Sequence, residues 1–210
     1  MNQHIKTIIL SATLGALVGS GAVFISQKLQ KPNEDELIKE FYLVENAVHV
    51  SPHHIRKAIM KGETDDFILI DLRSEEEYAE EHIVGAINVP AYKDREYSDY
   101  GAIQRIRQSV RELKEKNPEK DIIVYCYSTP CMTGRKVGKI LAEDGIYVKH
   151  LGIGWNEWRH FWKLWNHPHE WEITDPTEYT ASGPEPGVFK GRNYLEGELP
   201  SGCGEGELSC

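Results

Sequence analysis

The sequence predicts an α/β fold, formed by residues 47–166, in which a mainly parallel sheet carries helices on both faces. Three observations indicate this class. Short apolar runs alternate along the chain with amphipathic segments of helical period. Two of the runs, FILID at 67–71 and DIIVYC at 121–126, are almost wholly apolar, as expected of strands that are covered on both faces. Helix-capping residues stand between the runs.

The predicted elements alternate between strand and helix. Ser51 and Pro52 begin the first helix of the domain as N-cap and first helical residue. Ser74 and Glu77 form a capping box at the start of another helix. The predicted elements, in chain order, are the strand VHVS, a helix from Pro52 to Gly62, the strand FILID, the helix SEEEYAEEH, the strand GAINVP, a helix over 101–116 that Asn117-Pro118 ends, the strand DIIVYC, the helix GRKVGKILAEDG that ends at Gly145, the strand YVKHL and the helix GWNEWRHFWKLW.

The composition changes on both sides of this domain. We expect residues 1–29 to be a membrane anchor or signal segment and residues 30–46 to be a polar connector helix. Residues 167–210 are rich in Gly, Pro and Glu and lack a periodic apolar face, which predicts an extended tail. We expect order in the tail only where an aromatic side chain docks on the domain, the candidates being Tyr179, Phe189 and Tyr194.

The N-terminal segment predicts a membrane location. Residues 7–26 carry no charged side chain and are long enough to cross a bilayer as a transmembrane helix. A cleaved signal peptide is the alternative, although Ser26-Gln27-Lys28 is a poor cleavage site. We therefore predict a single-pass protein of a bacterial inner membrane with a periplasmic globular domain. Cys203 and Cys210 fit that compartment, because they would close a small disulfide loop in the tail.

Charge and histidine spacing exclude two classes of partner. The net charge of −9 leaves no basic surface to neutralise phosphates, so no nucleic-acid partner is expected. The four histidines near the C-terminal half of the domain have no recognised metal-ligand spacing, and we predict no metal: they are His150, His160, His167 and His169.

Four tryptophans share one face of the last predicted helix, and they are Trp155, Trp158, Trp162 and Trp165. Burial against the sheet is the main interpretation, and a stripe that binds a membrane surface or a partner protein is the alternative.

Cys126 is the main candidate for chemistry. It stands at the carboxyl end of a buried strand, where ligands bind in open parallel sheets. The next helix begins shortly afterwards, and its free amides and dipole favour a thiolate. We therefore expect the pKa of Cys126 to be lowered, which makes the side chain a nucleophile at neutral pH. Arg135 adds a fixed positive charge for an anionic substrate. An inert buried thiol is the alternative.

Three ordered motifs resemble the rhodanese family. FILIDLRSEEEYAEEHIVGAINVP is similar to the family's amino-terminal signature, in which an Asp-x-Arg strand end precedes a helix and His-Ile-x-Gly-Ala-x-Asn-x-Pro. VYC followed by a turn and a helix resembles the family's catalytic loop. LGIGWNEW resembles its Leu-x-Gly-Gly-x-x-x-Trp segment. The resemblance implies a single rhodanese-like domain that works without a metal or an organic cofactor.

The resemblance also implies the roles of the site residues. Cys126 would take sulfane sulfur from a small sulfur-containing anion such as thiosulfate, form a persulfide, and pass the sulfur to a thiol acceptor or another nucleophile. Arg135 would bind the substrate. Asp71, Arg73 and His82 would brace the site. The loop residues that would hold the persulfide are Tyr127, Ser128, Thr129, Met132, Thr133 and Gly134.

The catalytic loop departs from the family pattern. Ordinary rhodaneses carry an arginine five residues after the cysteine, but that position is Cys131 here and Arg135 stands nine residues on. A wider loop is typical of related phosphatases and arsenate reductases, which leaves phosphatase activity as a minor hypothesis.

Cys131 is a candidate resolving thiol, because a Cys-x₄-Cys turn lets the two sulfurs approach. The chain could then be a thiol redox protein that uses Cys126 and Cys131. A catalytically silent module that binds an unidentified protein is a further hypothesis.

Overall fold

The computed structural model describes residues 33–97, 103–171 and 174–191. Two compact units divide the chain at Glu45 and Asn46. Helix α1 spans Glu34–Val48 and so begins in the first unit and ends in the second. Asn33 and Glu36 exchange side-chain and backbone hydrogen bonds at its start, which explains why the helix begins there. Of the predicted connector, residues 34–46 are thus helical.

The predicted transmembrane helix lies outside the described residues. Among the residues that are described, no helix combines the length and the apolar character that a membrane crossing requires. Cys203, Cys210 and Tyr194 also lie outside the described ranges.

The second unit contains the predicted parallel sheet. Its strands in chain order are β1 (His49–Val50), β2 (Phe67–Asp71), β4 (Ile87–Asn88), β5 (Asp121–Tyr125) and β6 (Lys149–Leu151). They lie in the order β1, β6, β5, β2, β4, and every neighbouring pair is parallel. Asp71 aligns with Tyr125 on one side and with Asn88 on the other, so the carboxyl ends of β2, β4 and β5 meet at one edge.

Helices cover both faces of the sheet. The helices of the second unit are α2 (Pro52–Lys61), α3 (Glu75–Glu80), α4 (Ile103–Lys116), α5 (Thr133–Glu143) and α6 (Trp155–His160). Residues of α2, α3 and α6 form one core cluster with Leu69 and Ile123, whereas α4 and α5 pack against Ile70 and Val124 on the other side. The alternation of neighbouring residues in β2 and β5 therefore divides the core into two layers.

Local signals in the sequence place the helix ends well. The capping box of Ser74 and Glu77 is present at the start of α3. Pro52 is the first residue of α2, and Gly62 ends that helix in the left-handed conformation at φ 73°. Gly145 has the same conformation, also at φ 73°, just after α5. These signals are local in the chain, which is why they can be interpreted without tertiary information.

The length predicted for the last helix is wrong. The α-helix ends at His160, and after Phe161 the chain forms a 3₁₀ helix over Trp162–Leu164. This break lets Trp162 and Trp165 approach each other in an edge-to-face contact with ring centroids 4.7 Å apart. Trp155, Trp158 and Trp162 are buried, and Trp165 packs against the same core cluster. The interpretation of the tryptophans as core residues is confirmed.

The C-terminal segment packs on the domain at the predicted aromatic residues. Tyr179 is 1% exposed and Phe189 lies against it, with ring centroids 4.9 Å apart. After the 3₁₀ turn Pro176–Tyr179, the strand β7 (Thr180–Ala181) pairs antiparallel with β3 (His82–Ile83). This second sheet was not predicted, because each of its strands has only two residues and leaves no periodic pattern.

Candidate active site

Cys126 directly follows β5 at the sheet edge where three strands end. Two backbone amides at the start of α6 hold this part of the chain. Trp155 N donates to Cys126 O at 2.8 Å, and Asn156 N donates to Tyr127 O at 2.8 Å. The loop after β5 is therefore anchored to the start of α6, since amides in the first turn of a helix have no partner within the helix.

Gly154 permits this close approach. A Cβ at residue 154 would stand 2.1 Å from Ser128 N and 2.5 Å from Tyr127 C, so a side chain there would collide with the backbone of the loop. The Glu157 carboxylate completes the attachment by accepting from Gly154 N at 3.0 Å and from Thr129 N at 3.2 Å. The motif GIGWNEW thus matters because its second glycine and its glutamate hold the loop. From the sequence, this motif indicated the family but no site role for either residue.

A tight turn brings the second cysteine onto the first. Cys131 N donates to Ser128 O at 2.9 Å, and this bond closes a turn through Pro130. Cys126 Sγ and Cys131 Sγ lie 2.7 Å apart, and both cysteines are free thiols. Cys126 is 1% exposed, whereas Cys131 is partly exposed. Cys131 is therefore the more exposed of the two thiols.

The protonation of the pair differs from the sequence-based expectation. The hydrogen bond from Cys126 lowers the pKa of Cys131 to about 4. The same hydrogen bond, followed by burial, raises the pKa of Cys126 far above its ordinary range. The expected lowering of the Cys126 pKa is thus wrong for this arrangement, because the two thiols share one proton and the charge stays on the better solvated sulfur.

Backbone amides and hydroxyl groups surround the two sulfurs. The amide of Tyr127 lowers the pKa of both cysteines, and the amide of Thr133 acts on Cys131. The Thr133 hydroxyl hydrogen-bonds to both thiols and meets the Tyr92 hydroxyl at 2.7 Å. These contacts gather hydrogen-bond donors around the thiols, and their role as a cradle for a substrate anion stays a prediction.

Tyr92 was not predicted from the sequence. It lies in the segment after β4, and its ring contacts that of Tyr127 edge-to-face with centroids 5.0 Å apart. The Tyr127 hydroxyl donates to the Glu77 carboxylate, which also accepts from Ser74 Oγ at 2.6 Å. Only the neighbouring strand β4 brings Tyr92 to the loop, so a local pattern could not reveal it.

The Arg135 side chain hydrogen-bonds to the backbone of the loop. Its Nη1 donates to Thr129 O at 3.0 Å and to Cys131 O at 3.1 Å, on both sides of the turn that carries Pro130. The guanidinium therefore holds the turn together from its exposed side. Met132 is exposed and precedes the first residue of α5. A contact of Arg135 or Met132 with substrate stays a prediction.

Asp71 and Arg73 form a buried network beside the site. Asp71 Oδ2 accepts from Arg73 Nη2 at 2.7 Å and from the Tyr125 hydroxyl at 2.7 Å. The Arg73 guanidinium also lies over the ring of Trp155 at 4.3 Å from its centroid. Because Tyr125 precedes Cys126 and Trp155 binds its carbonyl, this network fixes both sides of the nucleophile's backbone. The bracing role of Asp71 and Arg73 in the reaction stays a prediction.

His82 is fully buried away from the two thiols. Its Nδ1 hydrogen-bonds with Tyr78 O at 2.7 Å, and its ring stacks on Tyr78 with centroids 3.8 Å apart. These contacts join the end of α3 to β3, and they are consistent with a structural role.

A second buried histidine, His150, lies against the first turn of α5. His150 is 5% exposed, and neither ring nitrogen makes a hydrogen bond within the described part of the chain. Burial lowers the pKa of His150, so the ring is neutral at physiological pH. A Cβ at residue 134 would stand 2.2 Å from its Nε2, which explains the glycine in the first turn of α5. Within the described ranges, no three His, Cys, Asp or Glu residues form a group that could hold a metal ion.

Comparisons with known proteins find a family profile and several similar proteins. The sequence profile of the Rhodanese-like domain matches residues 51–161. The chain is 29% identical over 103 residues to the thiosulfate sulfurtransferase GlpE of Coxiella burnetii, covering 49% of this chain and 77% of that protein. It is 31% identical over 101 residues to the HTH-type transcriptional regulator Rv0324 of Mycobacterium tuberculosis, covering 48% of this chain and 38% of the regulator. The match thus spans less than half the length of that regulator.

Among solved structures, the BH2092 protein of Bacillus halodurans is 23% identical with a TM-score of 0.48, and the alignment covers 78% of this chain and 94% of that one. The profile match covers more than half of the chain and includes β2, β5 and the loop that carries Cys126. Through residues 51–161, the chain belongs to the rhodanese-like domain family.

Proposed function

We propose that the protein is a sulfurtransferase that accepts sulfane sulfur from a small anion such as thiosulfate on Cys126 and transfers it to a thiol or another nucleophile. The observation that carries the proposal is the position of Cys126 in a rhodanese-like domain, at the carboxyl end of β5 and within the cradle of amides and hydroxyls. The GlpE relative carries the name thiosulfate sulfurtransferase, which supports the proposal.

Cys131 stands next to the nucleophile and can hold its proton. Cys126 is protonated at rest and its sulfur contacts the Cys131 sulfur at 2.7 Å. Because the two thiols share this proton, it can lie on Cys131 when the substrate arrives, and the Cys126 thiolate then attacks the outer sulfur of thiosulfate. The leaving group is sulfite, and Cys126 carries the persulfide.

Hydrogen-bond donors at the loop stabilise the anionic persulfide. The amides of Tyr127 and Thr133 and the hydroxyl of Thr133 act on the sulfurs, and Tyr92 lies next to Thr133. Such donors are fixed before the reaction, so they need no reorganisation when negative charge develops. Ser128, Thr129, Met132, Gly134 and Arg135 complete the loop in this proposal.

Sulfite release from thiosulfate tests the proposal. The purified full chain is expected to release sulfite, and with cyanide as acceptor it is expected to form thiocyanate. Cys126→Ser should reduce both to the background rate, because a serine hydroxyl cannot form a persulfide. Retention of sulfite release by a folded Cys126→Ser variant would refute the proposal.

The contact between the two thiols also supports a second candidate, a thiol redox protein that exchanges disulfides without handling sulfane sulfur. Such a protein would oxidise a dithiol while Cys126 and Cys131 cycle between thiol and disulfide. It would release no sulfite from thiosulfate. The sulfite assay therefore separates the two candidates.

Membrane attachment through residues 7–26 belongs to the proposal as well. The support is the absence of charge along this apolar segment. Cell fractionation of the full chain and of a chain without residues 1–29 tests it. The full chain is expected in the membrane fraction and the shortened chain in the soluble fraction, and recovery of the intact full chain in the soluble fraction would contradict attachment.

A further inference from the structure

Cys131 is already in contact with the Cys126 sulfur, which an external acceptor would have to approach from solution. Cys126 is 1% exposed, and the sulfur of Cys131 contacts its sulfur at 2.7 Å. An acceptor that comes from solution must first move into contact with this buried sulfur. Cys131 needs no such movement, and its own thiol has the chemistry of an acceptor.

Four hydrogen bonds fix the turn that carries Cys131. Its amide donates to Ser128 O at 2.9 Å, and its carbonyl accepts from Arg135 Nη1 at 3.1 Å. The same guanidinium nitrogen donates to Thr129 O at 3.0 Å, and the Thr129 amide is held by Glu157. The turn is thus held from both ends, so the two sulfurs meet without a further loss of chain entropy at the moment of reaction.

We propose that Cys131 is the built-in acceptor of the Cys126 persulfide, so that the protein releases the sulfane sulfur as hydrosulfide and closes a disulfide between Cys126 and Cys131. This inference rests on the proposed sulfurtransferase function and specifies its product. The substrate class is a sulfane-sulfur anion together with an external dithiol reductant.

The first half of the cycle loads the sulfur. The Cys131 thiolate takes the proton of Cys126, and the Cys126 sulfur forms a bond to the outer sulfur of thiosulfate. The bond between the two sulfurs of thiosulfate breaks, and its electron pair leaves with sulfite. Cys126 then carries a persulfide anion, and Cys131 is a neutral thiol.

The second half of the cycle releases the sulfur. The Cys131 sulfur attacks the Cys126 Sγ, the bond between Sγ and the sulfane sulfur breaks, and the Cys131 proton leaves with that sulfur as hydrosulfide. The two cysteines are oxidised to a disulfide while the sulfane sulfur is reduced. A dithiol then reduces the disulfide by exchange and restores the starting pair. Each turnover consumes one thiosulfate and one dithiol and yields one sulfite, one hydrosulfide and one oxidised dithiol.

A single-turnover experiment without reductant tests the inference. The fully reduced full chain is freed of reductant under anaerobic conditions and mixed with thiosulfate, and sulfite, sulfide and the intact mass are measured. The wild type is expected to release one sulfite and one sulfide per chain. Its mass should fall by two hydrogen atoms, and peptide mapping should find Cys126 joined to Cys131.

Cysteine variants serve as matched controls. Cys131→Ser loses the acceptor of the Cys126 proton, but it also loses the hydrogen bond that raises the pKa of Cys126. It should therefore still release sulfite, at a slower rate and without sulfide, and its mass should rise by one sulfur atom located on Cys126. Cys131→Ala should give the same result, and a thermal unfolding curve checks that either variant is folded. Cys126→Ser should release neither product.

The two proposals fail in different ways. A wild type that releases sulfite, keeps the added sulfur on Cys126 and yields no sulfide would overturn the built-in acceptor and leave the sulfurtransferase standing. Equal sulfide release by Cys131→Ser would overturn it as well. A wild type that releases no sulfite would refute the sulfurtransferase itself, and the acceptor inference with it.

Discussion

At the scale of single residues, the thiol pair shows how a contact can reverse an expectation based on position. Cys126 stands at a strand end before a helix, a position that usually lowers the pKa of a thiol. Here the neighbouring sulfur of Cys131 lies at 2.7 Å, and the buried partner keeps the proton. The anionic charge of the site is present at neutral pH, but it rests on Cys131.

The pH dependence of alkylation tests this distribution of charge. The pKa of Cys131 is lowered to about 4, so its thiolate is fully present at neutral pH and is lost only as the pH falls through that value. The rate of iodoacetamide modification at Cys131 should therefore stay constant between about pH 6 and 9, where an ordinary thiol gains thiolate steeply. Peptide mapping of the quenched reaction gives the rate at each cysteine.

The control for this measurement is Cys126→Ala, which removes the hydrogen-bond donor. The alkylation midpoint of Cys131 should then rise towards the ordinary thiol pKa of about 8.5. A wild-type midpoint that already lies near that value would contradict the shared proton.

Gly134 offers a second test at this scale, because α5 contains a matched control. A Cβ at residue 134 would stand 2.2 Å from Nε2 of the buried His150, whereas a Cβ at Gly138 would meet Val148 Cγ2 at an ordinary 3.6 Å. Gly134→Ala is expected to lower the free energy of unfolding by about 1–3 kcal/mol through overpacking. Gly138→Ala is expected to raise it by about 0.5–1 kcal/mol, because alanine favours a helix interior.

Urea denaturation of the two variants beside the wild type measures both effects. Equal stability of the two alanine variants would show that His150 moves aside without cost.

At the scale of elements, the loop after β5 is positioned by the N-terminus of α6. The bonds from Trp155 N and Asn156 N to the carbonyls of Cys126 and Tyr127 join two elements that lie far apart in the sequence. Glu157 adds a side-chain contact to Thr129 N at 3.2 Å. The loop's shape therefore depends on α6 as much as on its own residues.

Removal of the Glu157 carboxylate should loosen the loop selectively. Glu157→Ala deletes the acceptor of the Thr129 and Gly154 amides and should lower the free energy of unfolding by about 0.5–2 kcal/mol, as the loss of a helix cap does. Hydrogen exchange at Thr129 should accelerate more than exchange within β5. Sulfite release should fall because the cradle is less well ordered.

Glu157→Gln is the conservative control, since its amide oxygen still accepts a hydrogen bond. It should retain slow exchange at Thr129. Unchanged exchange in Glu157→Ala would show that the backbone bonds alone hold the loop.

At the scale of the whole molecule, the residues after α6 complete the core of the domain. Tyr179 fills a space among tryptophans, and Trp158 Nε1 donates to its carbonyl at 3.3 Å. Arg56 of α2 bonds to Asn166 Oδ1 at 2.6 Å and forms an ion pair with Glu170, which fixes the start of the same segment. The C-terminal segment thus covers the tryptophan side of the sheet.

Truncation of Tyr179 tests this role. Tyr179→Ala leaves a cavity in the core and should lower the free energy of unfolding by about 3–5 kcal/mol. Val188→Ala, at a residue that is 78% exposed in the same segment, should change it by less than about 0.5 kcal/mol. Thermal and chemical unfolding give both values. If Tyr179→Ala changed the free energy of unfolding only slightly, the segment would contribute little to the stability of the domain.

The sequence predicts the parts of this molecule that depend on local patterns. Continuous apolar runs place β2 and β5, and caps place the ends of α2 and α3. The motifs place Cys126, Asp71 and Arg73 together, because parallel strands end at one edge. Contacts that tertiary structure alone creates leave no local pattern, and these include the approach of Tyr92, the buried ring of His150, the break at Phe161 and the pairing of β3 with β7.

The position of the transferred sulfur tests the central claim most directly. The Cys131→Ser variant is used because its persulfide has no second cysteine in the loop to react with. The variant is treated with thiosulfate, digested at low pH and mapped by mass spectrometry. The account predicts one added sulfur atom on the peptide that carries Cys126, and a parallel Cys126→Ser sample without it. Sulfur on another residue, or an unmodified Cys126 in a folded protein, would contradict the account.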